Sequence, residues 1–190
     1  DAPATDPGTI SGIDHVNLAQ PWHYFDSAVL FYTSLLSLGA QESLEVAAPL
    51  GLVRSQVMRS SSGSVRLALN VFPPRDEQTK PAPAPQHIAF ATDNIFSLAR
   101  SAQQRGIALL PVGDNYYRYL EARFGLDAER VAELKSLHLL YDRDGTGEFF
   151  HFYTHNFGGL FLEVVQRQGG YEGYGAPNAP IRLAAQHRSK

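Results

Sequence analysis

The sequence predicts an α+β fold made of two βαβββ modules, and three observations carry that expectation. A short alternating strand that bears a histidine occurs twice, at 13–18 and at 86–91. Each copy is followed by a helix-spaced segment closed by glycine, and each helix by three strand-like stretches. Between the two runs lies 73–85, rich in Pro and charge and without an apolar period, which reads as a linker. Sequence identity between the halves is low, so the repeat rests on element order. The implied boundaries are a linker at 1–12, a first module at 13–72, a linker at 73–85, a second module with a helical insertion at 86–168, and a C-terminal tail or lid at 169–190.

In the first module, Ile13-Asp14-His15-Val16-Asn17-Leu18 alternates apolar and polar side chains, which places His15 on the face opposite Val16 and Leu18. From Phe25, apolar residues at Ala28, Val29, Tyr32, Leu35 and Leu36 give one face of a helix that Gly39 is expected to end. Strands follow at about 42–47, 52–58 and 65–71, separated by Pro49-Leu50-Gly51 and by Ser60–Gly63. In the second module, Gln86-His87-Ile88-Ala89-Phe90-Ala91 repeats the first strand. Ile95, Leu98, Ala99 and Ala102 repeat the helix, and Gly106 stops it. Helical pieces at about 115–124 and 127–137 form the insertion. Strands resume at 139–141, 148–154 and 160–166, with Asp144-Gly145 and Gly158-Gly159 as turns. Two such halves can pair their sheets into a curved cleft, a natural place for a metal.

Composition narrows the function. The net charge is -3, so no basic field meets a phosphate backbone and a small-molecule partner is expected rather than nucleic acid. Cysteine is absent, which removes thiolate zinc sites, iron–sulfur clusters and cysteine nucleophiles. Any metal must therefore use His, Asp and Glu. No apolar run reaches the roughly 20 residues of a membrane span, and no signal-peptide pattern opens the chain, so membrane partners are not expected and a cytoplasmic compartment is. The opening on Asp1 suggests a piece of something longer.

Of the seven histidines, His15 and His87 stand out because they hold equivalent places in the two first strands. Glu163 stands out because it interrupts the apolar run Leu160-Phe161-Leu162-Glu163-Val164-Val165, where a carboxylate is costly unless paired, protonated or bound to a cation. Two imidazoles and a carboxylate form a facial triad that leaves open positions on Fe(II). The alternative is that Glu163 pairs with an arginine and both histidines bond backbone. His151 and His155 resemble a helical two-histidine motif, but on a strand they lie about 13 Å apart, too far to share an ion. With Phe157 near the hairpin tip, His151 would lie across from Glu163. His23, His138 and His187 read as surface or structural.

Several stretches, in order over roughly 13–180, resemble the C-terminal half of 4-hydroxyphenylpyruvate dioxygenase. They are Ile13-Asp14-His15-Val16, Leu52-Val53-Arg54-Ser55, Pro85-Gln86-His87-Ile88-Ala89, Asn115-Tyr116-Tyr117, Tyr141-Asp142-Arg143-Asp144 and Phe161-Leu162-Glu163-Val164-Val165-Gln166-Arg167. The resemblance implies the vicinal-oxygen-chelate superfold, with iron ligands at His15, His87 and Glu163 and substrate-contacting residues at Ser55, Asn70 and Gln86. It also implies a C-terminal lid carrying Tyr174. The departures fall around the substrate. The family's metal-facing glutamine corresponds to His151, which makes His151 the candidate catalytic residue. The hairpin 154–160 is shorter, and Asn70-Val71-Phe72 replaces Asn-Glu-Pro. The lid Gly173-Tyr174-Gly175-Ala176-Pro177-Asn178-Ala179 has lost its second aromatic.

The stretch 170–188 is also similar to the C-terminal domain of bacterial fusions that carry a 3-dehydroshikimate dehydratase barrel. That likeness implies an N-terminal barrel in the native chain and a role in aromatic-compound catabolism. Three readings follow: an accessory metal-bearing domain of such a dehydratase, an active Fe(II) dioxygenase on an aromatic 2-oxo acid, and an oxygen-independent metal-dependent lyase or isomerase. The metal expected is Fe(II), replaceable by Mg, Mn or Co. The ligand expected is a small aromatic or cyclohexene carboxylate.

Overall fold

The structure is a computed structural model that describes residues 8–49, 51–71 and 86–188. The elements run β1 (Ile10–Gln20), a 3-10 turn (Trp22–Tyr24), α1 (Phe25–Leu36), β2 (Gly39–Ala48), β3 (Gly51–Arg59) and β4 (Arg66–Val71). They continue as β5 (Gln86–Thr92), α2 (Ile95–Gln104), α3 (Asp114–Phe124), α4 (Ala128–Ser136), β6 (Leu140–Arg143), β7 (Gly147–Tyr153), β8 (Leu160–Gly169), a 3-10 turn (Ala176–Asn178) and α5 (Ala179–Arg188). The strands hydrogen-bond in the order β2-β3-β4-β1-β5-β8-β7-β6. Read outward from β1 and from β5, the order is the same, so the βαβββ repeat expected from sequence is present in the topology. By contact the chain forms two compact units. One is Asp1–Gly12, Phe90–His155 and Leu162–Lys190; the other is Ile13–Ala89 and Asn156–Phe161.

In the unit Ile13–Ala89, β1 pairs parallel with β4, and β3 lies antiparallel between β4 and β2. The core is Phe25, Leu38, Met58 and Leu69, packed by Leu18, Val29, Tyr32 and Leu67. Full burial of a side chain such as Leu69 contributes about 1.5–3 kcal/mol. Helix α1 ends earlier than Gly39: Ser37 takes the left-handed conformation (φ 55) and Leu38 N–H bonds back to Tyr32 O. Gly39 instead opens β2. The segment 1–12 was expected to be all linker, yet β1 starts at Ile10. Side chains on β5 reach this start, with Thr92 Oγ1 donating to Thr9 O (2.8 Å) and Ser11 Oγ to Ala91 O (3.2 Å). The expected linker 73–85 lies outside the described residues.

In the other unit, α2 is capped by Asn94, whose side chain accepts from Ser97 N–H, and α4 by Asp127, which accepts from Arg130 N–H. The insertion exists as α3 and α4. It is bound to the sheet by Tyr116, whose hydroxyl accepts from Tyr141 N–H (2.8 Å), and to α2 by Arg100–Glu133 (3.0 Å). Phe96 meets Phe150 edge to face and Tyr141 packs tilted on Phe150 at this junction, with Arg130 over the Phe96 and Phe150 rings.

Within the segment 169–190, expected as a tail or lid, the described residues form a 3-10 turn and the helix α5. Pro177 and Pro180 look like breakers, but each sits in the first turn of its helix, where no backbone donor is lost.

Helix α4 ends at Ser136, and His138, two residues further on, is left-handed at φ 53, with Leu139 N–H bonding to Leu134 O. Its Nδ1 is buried without a hydrogen-bond partner among the described residues, and burial lowers its pKa from 6.5. The unfolded chain therefore takes the proton more readily. Stability is full above the ordinary value and is lost as pH falls through the folded-state pKa. His138→Gly should flatten this dependence in urea unfolding between pH 5 and 8, and raise stability at pH 8 by about 1 kcal/mol through relief of the left-handed backbone.

Candidate metal centre

Strand alternation and register build one half of the site within the unit Ile13–Ala89. His15 and Asn17 share a face of β1, and the parallel register sets Asn17 beside Ala68 and Ala19 beside Asn70. The β3–β4 register sets Ser55 opposite Asn70. Ser55 and Asn70 therefore lie on the His15 face. Asn70 is buried and its Oδ1 has no hydrogen-bond partner among the described residues. Gln86 is the first residue of β5 and is held through its backbone N–H by Gly159 O (3.0 Å). Because it immediately precedes His87, alternation alone gives it no place on the His87 face.

His15 is oriented by Asp14. Its Nδ1–H donates to the buried Asp14 carboxylate (2.8 Å), which also pairs with Arg66 (3.5 Å). The neutral ring then presents the Nε2 lone pair, the arrangement in which a carboxylate fixes a metal-binding imidazole. That Nε2 lies 3.3 Å from His87 Nε2. His87 in turn packs on Phe161, ring centroids 4.8 Å apart, two positions before Glu163 on β8.

Glu163 lies in the other unit and is held there by two donors. His151 Nδ1–H donates to its Oε1 (2.7 Å), and the Tyr153 hydroxyl also hydrogen-bonds the carboxylate. Burial first, and then the Glu163 charge, push the Tyr153 pKa far above its ordinary value, so it remains a donor. The contact with His151 was expected, but not its register. His151 pairs with Val165, and Tyr153 is the residue opposite Glu163. The turn is centred on Gly158 and Gly159, both at positive φ, rather than on Phe157. His151 reaches Glu163 diagonally across the strand pair.

The ligand atoms of His15, His87 and Glu163 all lie within 4.8 Å of one another, and all three residues are buried. Ligands at right angles on one ion, each about 2.1 Å from it, stand about 3 Å apart, which matches the imidazole pair. Two facing imidazole nitrogens and a carboxylate out of water need a shared proton or cation. The donor set therefore fits a divalent metal. Both ring nitrogens of His151 are engaged, Nε2 with Asn178 Nδ2 at 3.0 Å. Tyr174 is half-buried, with the Arg167 guanidinium 5.4 Å from its ring. Asp14, Tyr153 and Asn178 were missed by sequence reasoning.

This fold with a buried His-His-Glu cluster defines a class, and the chain belongs to it. The sequence pattern of the Glyoxalase/Bleomycin resistance protein/Dioxygenase superfamily matches residues 12–146, so the chain is a member of that superfamily. It is 43% identical over 186 residues to a 3-dehydroshikimate dehydratase of Pseudomonas aeruginosa, covering 94% of this chain and 29% of that one. A Pseudomonas putida 3-dehydroshikimate dehydratase is 42% identical over 98% of this chain and 31% of its own length. The chain thus spans less than a third of these relatives. A Sus scrofa 4-hydroxyphenylpyruvate dioxygenase is 28% identical over 87% of this chain and 47% of that protein. Among solved structures, a xylose isomerase-like TIM barrel/4-hydroxyphenylpyruvate dioxygenase fusion protein superposes with a TM-score of 0.83 at 40% identity, over 96% of this chain and 30% of that one. No helix among the described residues is long and apolar enough to cross a membrane.

Proposed function

We propose that the chain is a divalent-metal domain, with Fe(II) held by His15, His87 and Glu163, and that it serves as the dioxygenase-like part of a 3-dehydroshikimate dehydratase in aromatic-compound catabolism. The observation that carries the metal reading is the buried pair of facing imidazole nitrogens with a carboxylate beside them. The dehydratase context is supported by relatives over 40% identical along nearly the whole chain. In this reading dehydration belongs to an additional barrel, and the present domain binds a small ring carboxylate. A divalent cation supplies Lewis-acid charge, and iron redox electrons as well, for a ligand held through two oxygens.

The protein's own groups orient that ligand. Ser55 and Asn70 offer hydrogen bonds from the His15 face, while Gln86 and Tyr174 are further contacts that the family resemblance, not strand alternation, supports. His151 is proposed to act through Glu163. The altered lid and strand around the substrate favour a ligand smaller than an aryl pyruvate, because attack geometry is set by the groups around the metal and not by the metal alone.

Two measurements test the proposal. Metal analysis after reconstitution should give one equivalent of iron per chain, and His87→Ala should lose it. Oxygen uptake by the iron-loaded domain with 4-hydroxyphenylpyruvate should stay near background; a turnover on the order of 1 per second would establish the dioxygenase reading instead.

A further inference from the structure

The 3-10 turn Ala176–Asn178 ends on a buried asparagine. Asn178 Nδ2 contacts His151 Nε2 (3.0 Å) and Tyr141 O (3.0 Å), and its Oδ1 accepts from the Tyr116 hydroxyl (2.9 Å). The amide orientation follows from these partners. A backbone carbonyl only accepts, so the atom facing Tyr141 O is the NH2 group, and the same group faces His151. Tyr116 stays a phenol, since burial drives its pKa far upward, and it can donate to Asn178. His151 Nε2 is thus an acceptor. In the neutral ring Nδ1 must then carry the hydrogen, and Nδ1 is the atom 2.7 Å from Glu163 Oε1.

The backbone is shaped for this approach. Gly175 stands at φ +59, and Asn178 N–H bonds back to its carbonyl at 2.8 Å. A Cβ at Gly175 would come within 2.9 Å of Phe149 and 3.1 Å of His151 Cε1 and Nε2. Only glycine lets this turn close against the histidine ring.

We propose that Asn178 sets the tautomer of His151, so that the ring donates to Glu163 and holds its carboxylate aimed at the cation. Asn178 and His151 are then positioning residues, and the C-terminal segment is part of the metal centre rather than only a lid. This inference rests on the metal reading above. Groups of this kind, one step removed from the metal, typically change affinity 10–100-fold when lost.

The experiment uses the full chain with 15N-labelled histidine and Mn(II) as the probe. In metal-free wild type the His151 ring should be protonated at Nδ1, and in Asn178→Ala the Nε2–H form should appear. Mn(II) affinity should fall about 10–100-fold in Asn178→Ala and in His151→Phe. His151→Gln, whose amide can donate to Glu163, should recover most of the loss. A merely structural role predicts lower thermal stability in Asn178→Ala with unchanged tautomer and unchanged Mn(II) affinity, and that result overturns the inference. Wild type that binds no Mn(II) overturns the metal reading itself. The two failures are distinguishable, because the first leaves wild-type affinity intact.

Discussion

Glu163→Ala is expected to remove most of the stabilisation that a divalent cation should give in the proposed site. A ligand that binds only the native state stabilises it by about 4 kcal/mol at a concentration a thousand times its Kd. For a chain of this size that corresponds to a rise in Tm of roughly 8–16 °C. Glu163 supplies the only carboxylate of the three-residue cluster, and without it two neutral imidazoles must hold the charge alone. The shift on adding Mn(II) should then shrink to about 2 °C or less. The metal-free variant will also be less stable, since His151 Nδ1–H and the Tyr153 hydroxyl lose their buried acceptor. Unsatisfied buried donors cost about 1–3 kcal/mol each. Each variant is therefore compared with its own metal-free form. A Glu163→Ala protein that keeps the wild-type Mn(II) shift removes Glu163 from the site.

How much of this was legible in the sequence depended on the kind of signal. His15 and His87 were visible because a repeat puts equivalent residues in equivalent strands, and Glu163 because a carboxylate inside an apolar strand needs a reason. Asp14 was not. Neighbouring strand residues alternate in direction, so nothing in the pattern suggests that Asp14 reaches the ring of His15. The diagonal His151–Glu163 contact survived a wrong register because side chains two positions apart share a face. The error lay in centring the turn on Phe157 when Gly158-Gly159 supplies the positive φ that the turn requires. Asn178 stood in the lid motif with no role of its own, because nothing in the local pattern shows that the turn Ala176–Asn178 packs against His151. Local periodicity shows the strands that carry ligands. Of the groups that orient the ligands, Asp14 adjoins its histidine against the strand alternation, while His151, Tyr153 and Asn178 are brought in by hairpin pairing and tertiary packing.

Gly147→Ala should have the largest effect on folding of any alanine substitution at a glycine in the described chain. Gly147 opens β7 and pairs with Gly169 at the end of β8. A Cβ there would lie 2.1 Å from Gln168 O, 2.7 Å from Tyr171 N and 3.0 Å from Gly170 N. All three are backbone atoms, so no side chain can rotate aside and the strands themselves must separate. Gly169 is itself at φ +65 with its own Cβ position 2.8 Å from Thr146 O, so the junction is packed backbone against backbone from both strands. Overpacking costs about 1–3 kcal/mol, occasionally more, and a clash between two backbones belongs at the upper end. A fall in Tm of roughly 6–12 °C follows for about 3 kcal/mol in a chain of this size. The damage should reach the metal centre, because the same strand pair sets Tyr153 opposite Glu163 and His151 opposite Val165. Mn(II) affinity measured on the folded protein should therefore fall as well. Gly145→Ala is the control, in the same turn and with nothing within 4 Å of its Cβ position. It should stay within about 0.5 kcal/mol of wild type. Equal melting temperatures for the two variants would mean that the β7–β8 junction is looser than the backbone contacts at Gly147 require.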